Sequence, residues 1–254
     1  MIDIATVQSG AFKIFINGIS KIIDKGKLIF TEENIKMLET DKEKNILIHF
    51  ALYSENFEEY FVKEKKEINI DFKILQKITK TIKNNEIIRI IYNENDTFWT
   101  LKIIDTDKGI NNSYKINLIQ YDKQDINIPP PTEFNYEVSL STTSFKELLN
   151  QSKFISPDKI NISFDGTALK FNFKNENLEK EILIIENEEN MYINCSPDSE
   201  LIQNDFNYKN ILKCCEFTNL CNLLNIYFKN DYPIILKYNI ANLGDMKLVF
   251  PPII

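Results

Sequence analysis

Ile160-Asn161-Ile162-Ser163-Phe164-Asp165-Gly166-Thr167-Ala168-Leu169-Lys170-Phe171-Asn172-Phe173 reads as two strands folded back on one another. Apolar and polar side chains alternate on both sides of Asp165-Gly166. That period of two puts one face of each strand against a core and the other in water. An Asp-Gly pair between such runs is a strong hairpin signal, because tight turns favour residues that tolerate a positive φ. The local architecture is therefore antiparallel β. Similar strand-like runs occur at 46–52, 87–92, 97–104, 114–119, 181–185 and 233–238.

Four segments break this period and read as amphipathic helices. The one just before the hairpin, 142–155, turns Phe145, Leu148, Leu149 and Ile155 inward. The one after it, 207–217, turns Tyr208, Ile211, Leu212 and Cys215 inward. In the N-terminal half, 9–23 buries Phe12, Phe15, Ile16, Ile19, Ile22 and Ile23, and 71–83 buries Ile74, Leu75, Ile78 and Ile82. Ser9, Asp71, Ser141 or Thr142, and Asn207 stand where N-caps belong.

Lys13 and Lys73 are 60 residues apart, and Lys146 and Lys209 are 63 apart, so a helix–strands–helix–strands pattern occurs twice. Pro129-Pro130-Pro131 lies between the halves, where three prolines donate no ladder hydrogen bonds and favour an extended path. The expected division is an N-terminal domain 1–118, a connector 119–134 and a C-terminal domain 135–254. The class is α+β, with two helices packed on antiparallel sheets in each domain.

The chain has 254 residues, 43% of them hydrophobic and 26% charged, enough for a sizeable core and unlike a disordered chain. Its single histidine, His49, sits in an apolar strand-like run, and its four cysteines form no Cys-x-x-Cys, so no zinc site is expected. Six scattered glycines supply neither a dinucleotide fingerprint nor a phosphate loop, and there is no nucleophile elbow. Neither an enzyme nor a cofactor is expected. Cys214 and Cys215 are neighbours, an awkward geometry for a mutual disulfide, so a reducing compartment is the simpler setting. The N-terminal residues carry no basic-then-apolar signal, and no apolar run approaches the ~20 residues of a membrane helix.

Net charge is −7, yet the helices are rich in lysine on their polar faces. Lys73, Lys77 and Lys80 recur at i, i+4, i+7, as do Lys146, Asn150, Lys153 and Lys209, Lys213, Glu216; Lys13, Asn17 and Lys21 form a fourth stripe. Cations segregated within an acidic chain point to a polyanion such as a phosphate backbone. No aromatics interleave with these lysines, which disfavours single-strand stacking, and no set is aimed at base edges. Duplex binding through phosphates, without sequence readout, is the chemistry these residues support.

Asp231-Tyr-Pro-Ile-Ile-Leu-Lys-Tyr-Asn-Ile-Ala-Asn-Leu-Gly-Asp-Met-Lys-Leu-Val-Phe-Pro251-Pro resembles the closing segment of the proliferating cell nuclear antigen family. Ser54-Glu-Asn-Phe-Glu-Glu-Tyr60, Lys77-Ile-Thr-Lys80 and Ile126-Asn-Ile128-Pro129 resemble further motifs of that family, and the likeness covers nearly the whole chain. It implies a DNA-clamp fold in a head-to-tail homotrimeric ring, strands outside and helices lining the hole, with Lys13, Lys21, Lys73, Lys77, Lys80, Lys146, Lys153, Lys209 and Lys213 facing duplex DNA. It also implies an edge at Ser113, Tyr114, Ile116 and Leu118 that pairs with Leu178, Ile182 and Ile184 of the next subunit.

A partner-peptide pocket under the connector would take Thr40, Leu47, Ile126, Ile128, Pro129, Phe134, Pro233, Phe250 and Pro251. Departures from the family pattern are Thr40 for methionine, Phe134 for tyrosine, Lys44 for histidine, Pro251 for a small residue, and Asn150 and Glu216 for basic residues. Implied partners are DNA polymerase and other clamp-binding peptides, an ATP-dependent clamp loader and further copies of the chain, with no membrane. The place of action would be the nucleus, or a cytoplasmic replication site for a viral protein. Alternatives within the fold are a subunit of a heterotrimeric checkpoint-type clamp and a viral processivity factor that closes no ring. The lysine-rich, arginine-poor composition fits a large DNA virus or an AT-rich eukaryote.

Overall fold

The computed structural model describes residues 1–122, 126, 132–134, 136–165, 167–185, 191–195 and 201–253. The alternating runs form strands and the 3.6-period runs form helices, in one order used twice. The first half follows β1 (Ile2–Thr6), α1 (Ser9–Ile19), β2 (Lys25–Phe30), β3 (Asn34–Thr40), β4 (Leu47–Tyr53), β5 (Glu59–Val62), β6 (Lys66–Asp71), α2 (Phe72–Thr79), β7 (Ile87–Tyr92), β8 (Phe98–Asp105) and β9 (Ile110–Asn117). The second follows β10 (Tyr136–Ser141), α3 (Thr142–Gln151), β11 (Lys159–Phe164), β12 (Ala168–Lys174), β13 (Glu179–Ile185), β14 (Met191–Cys195), β15 (Ile202–Asn207), α4 (Tyr208–Leu212), β16 (Leu223–Phe228), β17 (Ile234–Ile240) and β18 (Gly244–Phe250).

The pairing repeats as well. The strand order β5-β1-β7-β8-β9 has its counterpart in β14-β10-β16-β17-β18, and β4-β3-β2-β6 in β13-β12-β11-β15. The duplication read from helix spacing is thus a duplication of topology. Two compact units result: Met1–Thr40, Ile48–Asp125 and Asn239–Met246 form one, and Asp41–Leu47, Ile126–Tyr238 and Lys247–Ile254 form the other.

In the first unit, α1, α2 and strands of both sheets turn apolar side chains onto one core. Phe12, Phe15, Phe30, Phe50, Phe72 and Trp99 surround a residual void of about 30 Å³ there. Phe15 meets Phe50 edge-on at 4.9 Å, a helix-to-sheet contact, and burying each ring contributes about 2–3 kcal/mol. Aromatic pairs join helices to sheets in the second unit too: Phe145 with Phe171 at 6.1 Å and Tyr208 with Phe173 at 5.9 Å.

All four helices are shorter than the periodicity predicts. α1 stops at Ile19, and bonds from the Lys21 and Ile22 amides to Gly18 and Ile19 tighten the next turn, still burying Ile22 and Ile23. α4 gives way at Leu212 to a 3-10 turn (Lys213–Phe217). A 3-10 turn repeats every three residues. The buried positions are accordingly Tyr208, Ile211, Cys214 and Phe217, and Cys215 is only half-buried where burial was expected. On α2 the expected core residue Ile74 is 40% exposed, and Phe72, Leu75 and Thr79 fill the core instead. That helix starts directly from β6, so its first side chain swings inward and sets the phase.

The hairpin is present, but its connection is longer than two residues. Phe164 stands opposite Leu169, which keeps both side chains in the core. Pairing Phe164 with Thr167 would have set a hydroxyl against that face. The Asp165 carboxylate closes the loop, accepting from the Thr167 amide at 3.1 Å, the Thr167 hydroxyl at 2.8 Å and the Ala168 amide at 2.9 Å. Gly166 lies outside the described residues. The sole arginine, Arg89, crosses strands: Nε and Nη2 donate to both Asp3 carboxylate oxygens at 2.7 Å, and Nη2 lies 2.9 Å from Glu59.

This packing sets two expectations. A Cβ on Gly244 would sit 1.9 Å from the Ala51 carbonyl oxygen, a backbone atom that cannot step aside. Gly244→Ala therefore costs more than about 3 kcal/mol in urea unfolding or prevents folding. Gly10→Ala, whose Cβ would meet only the Asn84 side chain at 3.1 Å, is far milder. The hydrogen bonds to Asp165 lower its pKa to about 2, below the unfolded value of about 3.9. Its contribution is thus fully present above about pH 4 and lost as pH falls toward about 2. Asp165→Asn should lower Tm at neutral pH, and a pH series should show the gap closing across that window.

Candidate nucleic-acid interface

The helices that carry the lysines are held by their ends. Asp71 caps α2, accepting from the Ile74 amide at 3.0 Å; Ser141 caps α3 through the Ser144 amide at 3.4 Å; Asn207 caps α4 through the Asn210 amide at 3.0 Å. Ser9 is not the cap of α1. Gln8 holds that position without a side-chain bond to the helix amides, and the buried Ser9 hydroxyl donates to the Lys83 carbonyl at 2.9 Å. Thr142, first residue of α3, does the same job in the second unit, donating to the carbonyls of Cys221 at 2.8 Å and Thr218 at 2.9 Å. In both units a hydroxyl at the start of the first helix ties down the segment that follows the second.

In the first unit α1 packs on α2, with Gln76 donating from Nε2 to Asn17 Oδ1 at 2.9 Å. Lys21, Lys77 and Lys80 are exposed and their side chains make no hydrogen bond or ion pair among the described residues. Two others are engaged. Lys13, half-buried, donates to the Ile82 carbonyl at 2.8 Å. Lys73 donates to the Ser20 carbonyl at 2.5 Å and lies 3.4 Å from Asp24.

In the second unit Lys153 and Lys209 are exposed and Lys146 is half-buried, and none of their side chains makes a hydrogen bond or ion pair among the described residues. Lys213 lies 4.0 Å from Asp41, a buried carboxylate that also accepts from the Asn45 and Ile46 amides at 2.7 and 2.8 Å. α3 and α4 are joined by the Tyr208 hydroxyl, which donates to the Leu149 carbonyl at 2.7 Å. Burial pushes the Cys215 thiol up to about 11, against the pull of Lys153 and Lys146. It stays neutral at physiological pH and adds no anion among those lysines. Asn150 is half-buried and Glu216 exposed.

The two expected assembly edges are both terminal strands of their sheets. β9 ends one sheet, with Ser113 exposed, Tyr114 half-buried and Leu118 37% exposed just beyond it. Ile116 is the correction: it is 7% exposed and packs inward, because strand alternation sends it to the core face. β13 ends the other sheet. Ile182 and Ile184 are half-buried there, Leu178 is 44% exposed, and Leu183 and Ile185 face outward at 47% and 62%.

Of the expected peptide-pocket residues, Ile128 and Pro129 lie outside the described residues. Thr40, Leu47, Ile126, Phe134 and Pro233 are half-buried and Pro251 is exposed. Phe250 is 2% exposed, so its ring packs inward. Phe250 and Pro251 border a polar cleft of about 150 Å³ with Asn45, Asn207 and Asn210. Phe134 meets Tyr227 at a tilt and Tyr232 edge-on, with ring centroids 5.5 and 5.6 Å apart, two aromatics the sequence reading missed. The signal existed: Ile226 and Phe228 are core residues, so alternation turns Tyr227 to the other face.

A twice-used order of one strand, one helix, five strands, one helix and three strands, with lysines on the paired helices, defines a DNA-clamp fold. Residues 1–125 match the family model described as proliferating cell nuclear antigen, N-terminal domain. The chain is 25% identical over 258 residues to "Probable DNA polymerase sliding clamp 1" of Paramecium bursaria Chlorella virus 1, covering 100% of this chain and 97% of that protein. It is 26% identical over 247 residues to the DNA polymerase sliding clamp 1 of Sulfolobus acidocaldarius, covering 94% of each. The crystal structure of the proliferating cell nuclear antigen of Entamoeba histolytica superposes with a TM-score of 0.90 at 15% identity, over 100% of this chain and 99% of that one. The chain belongs to the proliferating cell nuclear antigen family of DNA sliding clamps.

Removing the Tyr208 hydroxyl leaves the Leu149 carbonyl with the Ser152 amide at 3.2 Å as its partner and breaks the tie between α3 and α4. Tyr208→Phe should cost about 0.5–1.5 kcal/mol, seen as a lower urea midpoint at unchanged m.

Proposed function

We propose that this chain acts as a polymerase-tethering clamp: three copies join head to tail, duplex DNA threads the ring, and polymerase docks on the outside. The observation that carries this reading is the lysine set on and just beyond the paired helices of both units, at Lys21, Lys77, Lys80, Lys146, Lys153 and Lys209, in a chain of net charge −7. Acidic surface elsewhere repels DNA, so the lysine faces are where a phosphate backbone is welcome.

Assembly is supported by the edges. Among the terminal strands of the sheets, β9 and β13 are the longest, at 8 and 7 residues, against 4 to 6 for the others. β9 carries a single charge, Lys115, and β13 ends in Ile182-Leu183-Ile184-Ile185. Long edges with uncharged stretches invite pairing, and two different edges generate a heterologous contact that closes into a ring if the rotation permits. The connector 119–134 and the residues beside it, with the Phe134–Tyr227–Tyr232 aromatics, are the proposed seat of an apolar partner peptide. The clamp itself catalyses nothing on this reading, and an ATP-driven loader opens it. It works wherever the genome is copied: the nucleus, or a viral replication site.

The test has three readings. Sedimentation should give three times the 29.8 kDa subunit, and Leu183→Glu should give one subunit that is still folded. Loaded protein should stay on closed circular duplex and be lost when the circle is cut. Lys77→Glu with Lys80→Glu should leave the ring mass unchanged and sharply reduce polymerase stimulation. A stable monomer that stimulates polymerase equally on linear and circular templates would defeat the ring and leave an open processivity factor.

A further inference from the structure

Lysines at matching positions of the two units are in different states. The first unit has Lys13 and Lys73; the topologically equivalent positions of the second are Lys146 and Lys209. Lys13 reaches the Ile82 carbonyl beyond α2, and Lys73 reaches the Ser20 carbonyl at the end of α1. Ser20 is the C-cap of α1, so its carbonyl lies at the negative end of that helix's dipole, where a lysine is well placed to stabilise a helix; Ile82 lies three residues past the end of α2, in the segment that leads to β7. Lys146 and Lys209 reach no such carbonyl. Their side chains make no hydrogen bond or ion pair among the described residues.

For Lys73 and Lys209 the neighbouring residue accounts for the difference. Tyr208 precedes Lys209 just as Phe72 precedes Lys73, and both rings are buried. The Tyr208 hydroxyl already supplies the bond from α4 to the last turn of α3. Phe72 has no hydroxyl, so the same tether between α2 and the end of α1 falls to the next side chain, Lys73.

Resting on the clamp reading above, we infer that Lys13 and Lys73 are positioning residues and not phosphate ligands. They hold α1 and α2 together and so present Lys77 and Lys80, while at these two positions only Lys146 and Lys209 meet phosphate. DNA contact is therefore made from different positions in the two halves of a duplicated fold.

The experiment uses the full-length chain with Lys13→Met, Lys73→Met, Lys73→Arg, Lys146→Met and Lys209→Met. Methionine keeps the apolar stem and removes charge and donors; arginine keeps both. Each variant is melted, and its affinity for a labelled linear duplex is followed across a salt series. Lys13→Met and Lys73→Met should lower Tm by about 2–4 °C and leave the salt slope at its wild-type value, and Lys73→Arg should restore the Tm. Lys146→Met and Lys209→Met should keep the Tm and flatten the slope by about one for each phosphate that the lysine no longer neutralises.

The inference is overturned if Lys13→Met or Lys73→Met flattens the slope as the second-unit variants do, or melts like the wild type. If every variant keeps the wild-type slope while those two still melt early, the phosphate-contact reading fails and the positioning role stands. Should a methionine variant not fold, its glutamine counterpart is read by the same criteria.

Discussion

The carbonyl end of a short helix is the constraint on which this structure turns. α2 has 8 residues and α4 has 5, lengths at which a helix does not hold itself in water. Their N-terminal amides are met by Asp71 and Asn207. At the other end, the carbonyls of the first helix in each unit are reached by a donor on the second: Lys73 to Ser20, and Tyr208 to Leu149. Hydroxyls of Ser9 and Thr142 fix the segments that follow α2 and α4. The apolar stripes then seat each pair on its sheets, and the polar faces, lysines included, are left pointing outward from the core.

Duplication shows which parts of this scheme are fixed by topology and which by particular side chains. Strand order and pairing repeat without change, although the two halves share no obvious sequence. What repeats is a pattern of burial, and many apolar residues satisfy it. A hydrogen bond is less forgiving, since the donor must reach a stated atom. The two units accordingly solve the same end-of-helix problem with different chemistry, ammonium in one and phenol in the other. That choice changes which cations each unit leaves unpaired.

Most of the fold was legible because period and caps are local signals. The hairpin, the four helices, three of the caps and the inward residues of α1 and α3 all follow from spacing. Misreadings arose where the tertiary structure changed the period. The 3-10 turn after α4 moved burial from Cys215 to Cys214, and the abrupt start of α2 replaced Ile74 with Phe72. The lysine stripes were legible as stripes. Which lysines are engaged was not, because Ile82 and Ser20 accept through backbone carbonyls, and a carbonyl has no signature in a sequence. The inward turn of Ile116 was legible from strand alternation, but a family pattern read by position passes over it.

For a clamp on the proposed reading, an incomplete set of cations is an advantage. Each lysine–phosphate contact releases a counterion and adds affinity, so a full complement would hold the duplex in one register. A protein that must move along DNA needs contacts weak enough to exchange with the next phosphate. Exposed lysines on flexible stems, in high dielectric, give small energies at each site. Residence then has to come from topology, with a closed ring preventing escape whatever the strength of the individual contacts. The same argument explains why lysine suits this surface better than arginine. A compact, strongly hydrated ammonium makes no bidentate fork with phosphate, whereas a guanidinium does. The one guanidinium in the chain is spent where a fixed fork is useful, clamping Asp3 and Glu59 across the strands of the first unit.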